Sequence, residues 1–268
     1  MFTWHLAMHG LKASTRYGST GLTMTPSSNY TWSNNLSWVA MTIFIFFSMD
    51  VEQIISLLNE KSDPVHLAGM QRFGIEVKNA LGIPIPVLRK LAKAIKKDHS
   101  LALELWDTGI HEARILASMI DDPALVTGEQ IDNWVKDFNS CDVCDQVCGN
   151  LFDRTPFAIE KALKFSACQE EFIKRAGFVL MAEHAAHNKK ADNNTFIALF
   201  PVIEREAWDH RNFIKKAVNW ALRQIGKRNS VLKIAAVETA KNILIQNSSS
   251  AKWIATNALN ELSKKTKI

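Results

Sequence analysis

An all-α protein assembled from stacked helix pairs is the fold class this sequence predicts, and three observations predict it. Apolar residues recur at three and four spacing in almost every segment from Met49 onward. No stretch alternates with period two, as a half-buried strand would. The third observation is a repeat: "FIKRA" begins at Phe172, "FIKKA" at Phe213, 41 residues later, and "WIATN" at Trp253, another 40 on.

A recurrence near 40 residues is the period of paired-helix solenoids of the HEAT and armadillo kind. Their units stack apolar faces and leave one concave surface for a partner. The chain has 268 residues, 47% hydrophobic and 22% charged, as one globular unit or two small ones would have. Four cysteines without a secretory pattern do not make a disulfide framework and point to a reducing compartment. The net charge of +5 is a weak pointer to an anionic partner.

Residues 1–48 differ from the rest. Lys12 and Arg16 are their only charges, leaving +3 on residues 49–268. Through Ser37 they are rich in Gly, Ser, Thr, Asn and Trp and show no helical period. "WVAMTIFIFF" is about half the roughly 20 residues a spanning helix needs, and a signal peptide's basic start and cleavage site are missing. We read 1–48 as a leader, unstructured or outside the natural protein, with Met49 the natural start and residues 49–268 one domain. A peripheral anchor through Phe44–Phe47 is the rival reading; no spanning segment is expected.

The patterned protein opens at "MDVEQIISLL". "PVLRKLAKAIKKD" follows a Pro-rich approach, "EARILASMI" stops at Asp121-Asp122-Pro123, and "TGEQIDNWVKDF" starts from a cap at Thr127. Next comes "CDVCDQVCGNLF". On a helix, Cys144, Val147, Cys148, Leu151 and Phe152 form a complete core stripe, in which free cysteine serves as a small hydrophobe. A structural zinc site would need a second knuckle, and Cys168 is alone. A redox Cys-x-x-Cys would want a βαβ setting. Asp145 lies beside the stripe, in line with Cys141 and Gly149, small residues that leave room beside its carboxylate. From spacing alone it reads as a solvated surface acid or as a site acid.

In "NFIKKAVNWALRQIGKRN" the buried stripe is Ile214, Ala217, Val218, Ala221, Leu222 and Ile225. At about 100° per residue, Trp220 sits roughly 130° from its centre, among Lys216, Arg223 and Lys227. Such a ring either covers the next repeat or stacks in a phosphate-binding groove. In the repeat register Arg175 takes the place of Lys216, so successive helices are expected to present cations along one wall. Arg89, Lys93 and Lys96 form another basic line. His184 and His187 are ligand-spaced but lack further ligands and read as structural or surface residues. No nucleotide-binding or hydrolase signature occurs.

The ordered series "LGIPIPVLRKLAK", "GIHEARILASMIDDP", "DFNSCDVCDQVCGNLFDRTPFA", "EEFIKRAGFVLMA" and "RNFIKKAVNWALRQIGKRN" resembles the HEAT-like-repeat DNA alkylation repair family, the AlkD-like alkylpurine DNA glycosylases, over about residues 50–265. The resemblance implies a helical-repeat solenoid with a concave basic groove and a site of two tryptophans, an aspartate and an arginine. The aspartate falls on Asp145, the second tryptophan on Trp220 and the arginine on Arg175. The first tryptophan falls on Cys141, so one aromatic wall is absent. Lys216, Arg223 and Lys227 are the expected groove cations, with Arg175.

The implied activity is hydrolysis of the N-glycosidic bond of cationic alkylated purines, 3-methyladenine or 7-methylguanine, in double-stranded DNA. A cytoplasmic monomer is expected, without metal or organic cofactor and without a membrane partner. A non-catalytic binder of damaged or branched DNA and a protein-binding scaffold are the rival functions.

Overall fold

The computed structural model describes residues 49–72 and 74–263; the expected leader, with Lys12, Arg16 and Phe44–Phe47, lies outside them. Every regular element among the described residues is helical. Helix α1 (Val51–Glu60) opens on a capping box. The Asp50 carboxylate accepts from the Gln53 amide at 2.8 Å, and the Gln53 side chain accepts from the Asp50 amide at 3.2 Å. Helices α2 (Pro64–Arg72) and α3 (Ile85–Ile95) begin at or just after prolines, where a missing amide is no loss.

Helix α4 (His99–Asp107) starts from the Asp98 carboxylate, and α5 (His111–Ile120) stops before Asp122-Pro123 as expected. Helix α6 (Gly128–Trp134) starts from Thr127, whose hydroxyl accepts from the Gln130 amide at 3.1 Å. There follow α7 (Cys141–Asn150), α8 (Ala158–Ser166), α9 (Glu171–His187), α10 (Asn193–Ile197), α11 (Phe200–Glu206), α12 (Asn212–Gly226), α13 (Ser230–Leu244) and α14 (Ser249–Ser263).

The helices form two files. In one, α3, α5, α7, α9, α12 and α14 each pack on the next. In the other, α4 packs on α5, α8 on α9, α11 on α12 and α13 on α14. The recurring segments near Phe172, Phe213 and Trp253 open three successive members of the first file, α9, α12 and α14. The expected period is therefore the spacing of stacked helix pairs.

Packing follows the stripes read from the sequence. Cys144, Val147, Cys148, Leu151 and Phe152 are fully buried, and so is the whole α12 stripe from Ile214 to Ile225. Gly177 lets α9 lie against α8: a Cβ there would sit 2.4 Å from the Ser166 amide nitrogen. The Trp106 and Trp134 rings stack at 3.9 Å, joining α4 to α6.

One buried carboxylate fixes the approach to α3. Glu112, 1% exposed, accepts from the amides of Leu81 (2.8 Å), Gly82 (2.7 Å) and Ile83 (3.2 Å). Gly82 turns there with φ +76°, and a Cβ would come 2.3 Å from the Asp63 carbonyl oxygen. Removing Glu112 strands three amide donors, each worth about 1–3 kcal/mol when orphaned. Glu112→Ala is expected to cost at least about 3 kcal/mol in urea unfolding. An unfolding midpoint within error of the wild type would show that this clamp is dispensable.

Candidate functional site

Asp145 is not a solvated acid. It lies on α7, and on the next helix of the file Arg175 meets it as a two-pronged fork. Arg175 Nε donates to Asp145 Oδ1 at 2.9 Å, and a terminal nitrogen donates to Oδ2 at 2.8 Å. The other terminal nitrogen of Arg175 donates to the Phe213 carbonyl on α12 at 2.6 Å. One guanidinium thus joins α7, α9 and α12.

The partners are unequally accessible: 27% of the Asp145 side chain is open, against 8% of Arg175. Burial pushes the Asp145 carboxyl above the ordinary aspartate range, further than the Arg175 charge pulls it down. Burial works to lower the Arg175 pKa, but Asp145 outweighs it and raises it. Cys141, one turn before Asp145, is half-buried, and burial pushes its thiol up.

Asp145 opens onto a cleft of about 340 Å³. The room predicted beside it by Gly149 is taken by Glu183 of α9: a Cβ on Gly149 would sit 2.9 Å from that carboxyl carbon. Burial raises the Glu183 pKa. His187, one turn on, lines the same cleft, with Nε2 3.6 Å from Glu183 and Nδ1 2.5 Å from the buried Asp153 carboxylate. His184 is buried, its Nδ1 3.3 Å from the Asp153 carbonyl oxygen. Arg89 of α3 and Arg154, in the turn after α7, complete the cleft. Among the described residues, no cluster of three or more His, Cys, Asp or Glu could hold a metal ion.

The expected wall of cations is corrected. Arg175 does not repeat the exposure of Lys216: Lys216 is exposed on α12, whereas Arg175 is 7% exposed and bound to Asp145 and Phe213. Arg223 and Lys227 both pair with Glu261 of α14. Burial disfavours the Glu261 charge, yet the hydrogen bonds from Lys227 and Arg223 hold its carboxyl below the usual range. The neighbouring Lys215 stands 5.0 Å from the Trp253 ring. Trp220 is half-buried against the edge of the core and is not among the residues lining the Asp145 cleft.

Residues 54–262 match the profile of a family described as DNA alkylation repair enzyme. The chain belongs to the DNA alkylation repair enzyme family. No curated protein matches it. It is similar to a solved structure described as "A new family of proteins related to the HEAT-like repeat DNA glycosylases with affinity for branched DNA structures". Identity is 20% and the TM-score 0.65, over 82% of this chain and 99% of that one. That likeness shows the HEAT-like repeat fold.

For this family member, sequence reasoning placed Asp145 and Arg175 in one site with different roles, and the structure joins them in an ion pair. It missed Glu183, Arg154 and Glu261. For Glu261 a signal existed: it is the single acid of α14. Pairing it with Arg223 and Lys227 requires the register between two helices, which no local pattern supplies.

Removing one partner of a fully buried ion pair costs roughly 3 to 5 kcal/mol. With Asp145 partly open, Arg175→Ala is expected to cost about 2 to 3 kcal/mol in urea unfolding. Arg175→Lys should recover a part, since an ammonium cannot make the fork. Full stability in Arg175→Ala would show that the fork contributes nothing.

Proposed function

We propose that this protein hydrolyses the N-glycosidic bond of cationic alkylated purines, 3-methyladenine or 7-methylguanine, in double-stranded DNA. The observation that carries the reading is Asp145, a carboxylate held by both oxygens in the Arg175 fork yet 27% open to a cleft. Alkylation makes the purine a good neutral leaving group, so little acid catalysis is required. Positive charge then develops on the deoxyribose as the bond to the base lengthens. A carboxylate already oriented, in a partly dehydrated cleft, stabilises that charge without reorganising and can orient the attacking water.

In this reading Arg175 is a positioning residue. It spends its donors on Asp145 and on the Phe213 carbonyl rather than on phosphate. The protein would work as a monomer on DNA in the cytoplasm, with no cofactor in the chemistry.

A second reading, a binder of damaged or branched DNA without cleavage, is favoured by Cys141. It stands where the family resemblance implies a tryptophan, so that aromatic wall is absent.

Mass spectrometry of bases released from methylated duplex DNA separates the two. Asp145→Asn should bind the duplex but release bases on the order of 100- to 1000-fold more slowly. Equal rates in wild type and Asp145→Asn would remove Asp145 from the mechanism. If wild type releases no base and Cys141→Trp gains none, the binding reading replaces the glycosylase one.

The pH profile gives an independent check. The ionised carboxylate is the active form and its pKa is raised, so protonation on acidification begins at a higher pH than for an ordinary aspartate near about 3.9. The acid limb of base release should therefore lie above that value and vanish in Asp145→Asn. A limb at or below the ordinary range would contradict the role.

A further inference from the structure

The cations expected to hold DNA are mostly occupied within the protein. Asp145 and the Phe213 carbonyl take Arg175, and Glu261 takes Arg223 and Lys227. Elsewhere Glu206 and Asp209 take Lys174, and Asp132 takes Lys161 and Lys164.

Two arginines on the Asp145 cleft stand apart from this pattern. Arg89 is exposed on α3 and forms no ion pair or side-chain hydrogen bond among the described residues. Arg154 has 53% of its side chain exposed, and its carboxylate contact is a long one, 3.9 Å to Asp153 Oδ1. Neither is a loose appendage at its base. Arg154 lies in a 3₁₀ turn whose amide donates to the Leu151 carbonyl at 3.1 Å, with Asp153 buried beneath it. Arg89 is one turn before Lys93, also exposed, so the cationic line continues along α3 from the cleft.

We infer that Arg89 and Arg154 hold phosphates of the DNA backbone at the cleft onto which Asp145 opens. This rests on the reading of the protein as acting on DNA. The signs of charge fix the register. Asp145 and Glu183 also line the cleft, so a phosphate placed against them would be repelled. A phosphate against the guanidinium forks gains charge-assisted hydrogen bonds. A strand therefore settles with its phosphates on the arginines and a deoxyribose facing the carboxylates. That is the register glycosidic hydrolysis requires. It also moves the DNA contact from the α12 face, where Glu261 pairs with both Arg223 and Lys227, to the α3, α7 and α9 face.

The test is fluorescence anisotropy of a labelled 30-base-pair duplex with the full chain across a range of salt concentrations. Circular dichroism of each variant checks that the helices are retained. Arg89→Ala and Arg154→Ala should each reduce the log–log salt slope by about 0.9, and the double variant by about 1.8. Glu183→Gln, which removes a negative charge from the cleft, should tighten binding. Glu261→Gln should leave affinity unchanged.

If the double arginine variant binds with wild-type slope and Glu261→Gln tightens binding, DNA lies on the α12 face and the inference is wrong. Base release measured on the same samples separates this inference from the proposed activity. Arginine variants that lose slope while wild type releases no base sink the glycosylase reading alone. Unaltered slopes beside normal base release sink this inference alone. A wild-type protein that does not bind duplex DNA sinks both.

Discussion

The guanidinium of Arg175 is the constraint on which the arrangement at Asp145 depends. A helical-repeat protein meets itself only between neighbouring units, so each interface must be fixed locally. Arg175 fixes two interfaces at once, reaching Asp145 on the helix before it and the Phe213 carbonyl on the helix after it. The fork sets the orientation of the carboxylate as well as the stacking of the helices. A change in the stacking of α7, α9 or α12 would consequently move the charged group offered to the cleft.

Other interfaces use the same device with different partners. Glu112 on α5 collects the amides before α3, and Lys174 on α9 reaches Glu206 at the end of α11 and Asp209 just beyond it. Arg223 and Lys227 on α12 meet Glu261 on α14. Buried ion pairs of this kind add little net stability over apolar packing, but a wrong register leaves charges unpaired. Their value in a stack of similar helices is that each unit fits its proper neighbour. Among the described residues the stack buries the cations Lys161, Lys174 and Arg175, while Arg89 and Arg154 beside the Asp145 cleft stay exposed.

The sequence by itself determined the helices, their order and their period. Apolar spacing is a local property, so the stripes of α7 and α12 and the cap at Thr127 appear where the residues put them. The cysteines Cys144 and Cys148 were core in the sequence and are core in the fold, because burial follows the helical face on which they stand. Asp145 and Arg175 were legible too, as members of one site, but with Arg175 set to hold phosphate and not Asp145. Tertiary structure alone decided that they are one ion pair, that Glu183 fills the space over Gly149, and that Glu261 pairs with Arg223 and Lys227. The physical reason is the range of the interaction. A helix's buried face is set by neighbours three and four residues away, whereas the fate of a surface charge is set by a residue 30 to 38 positions distant, brought near only by the stacking of whole helices.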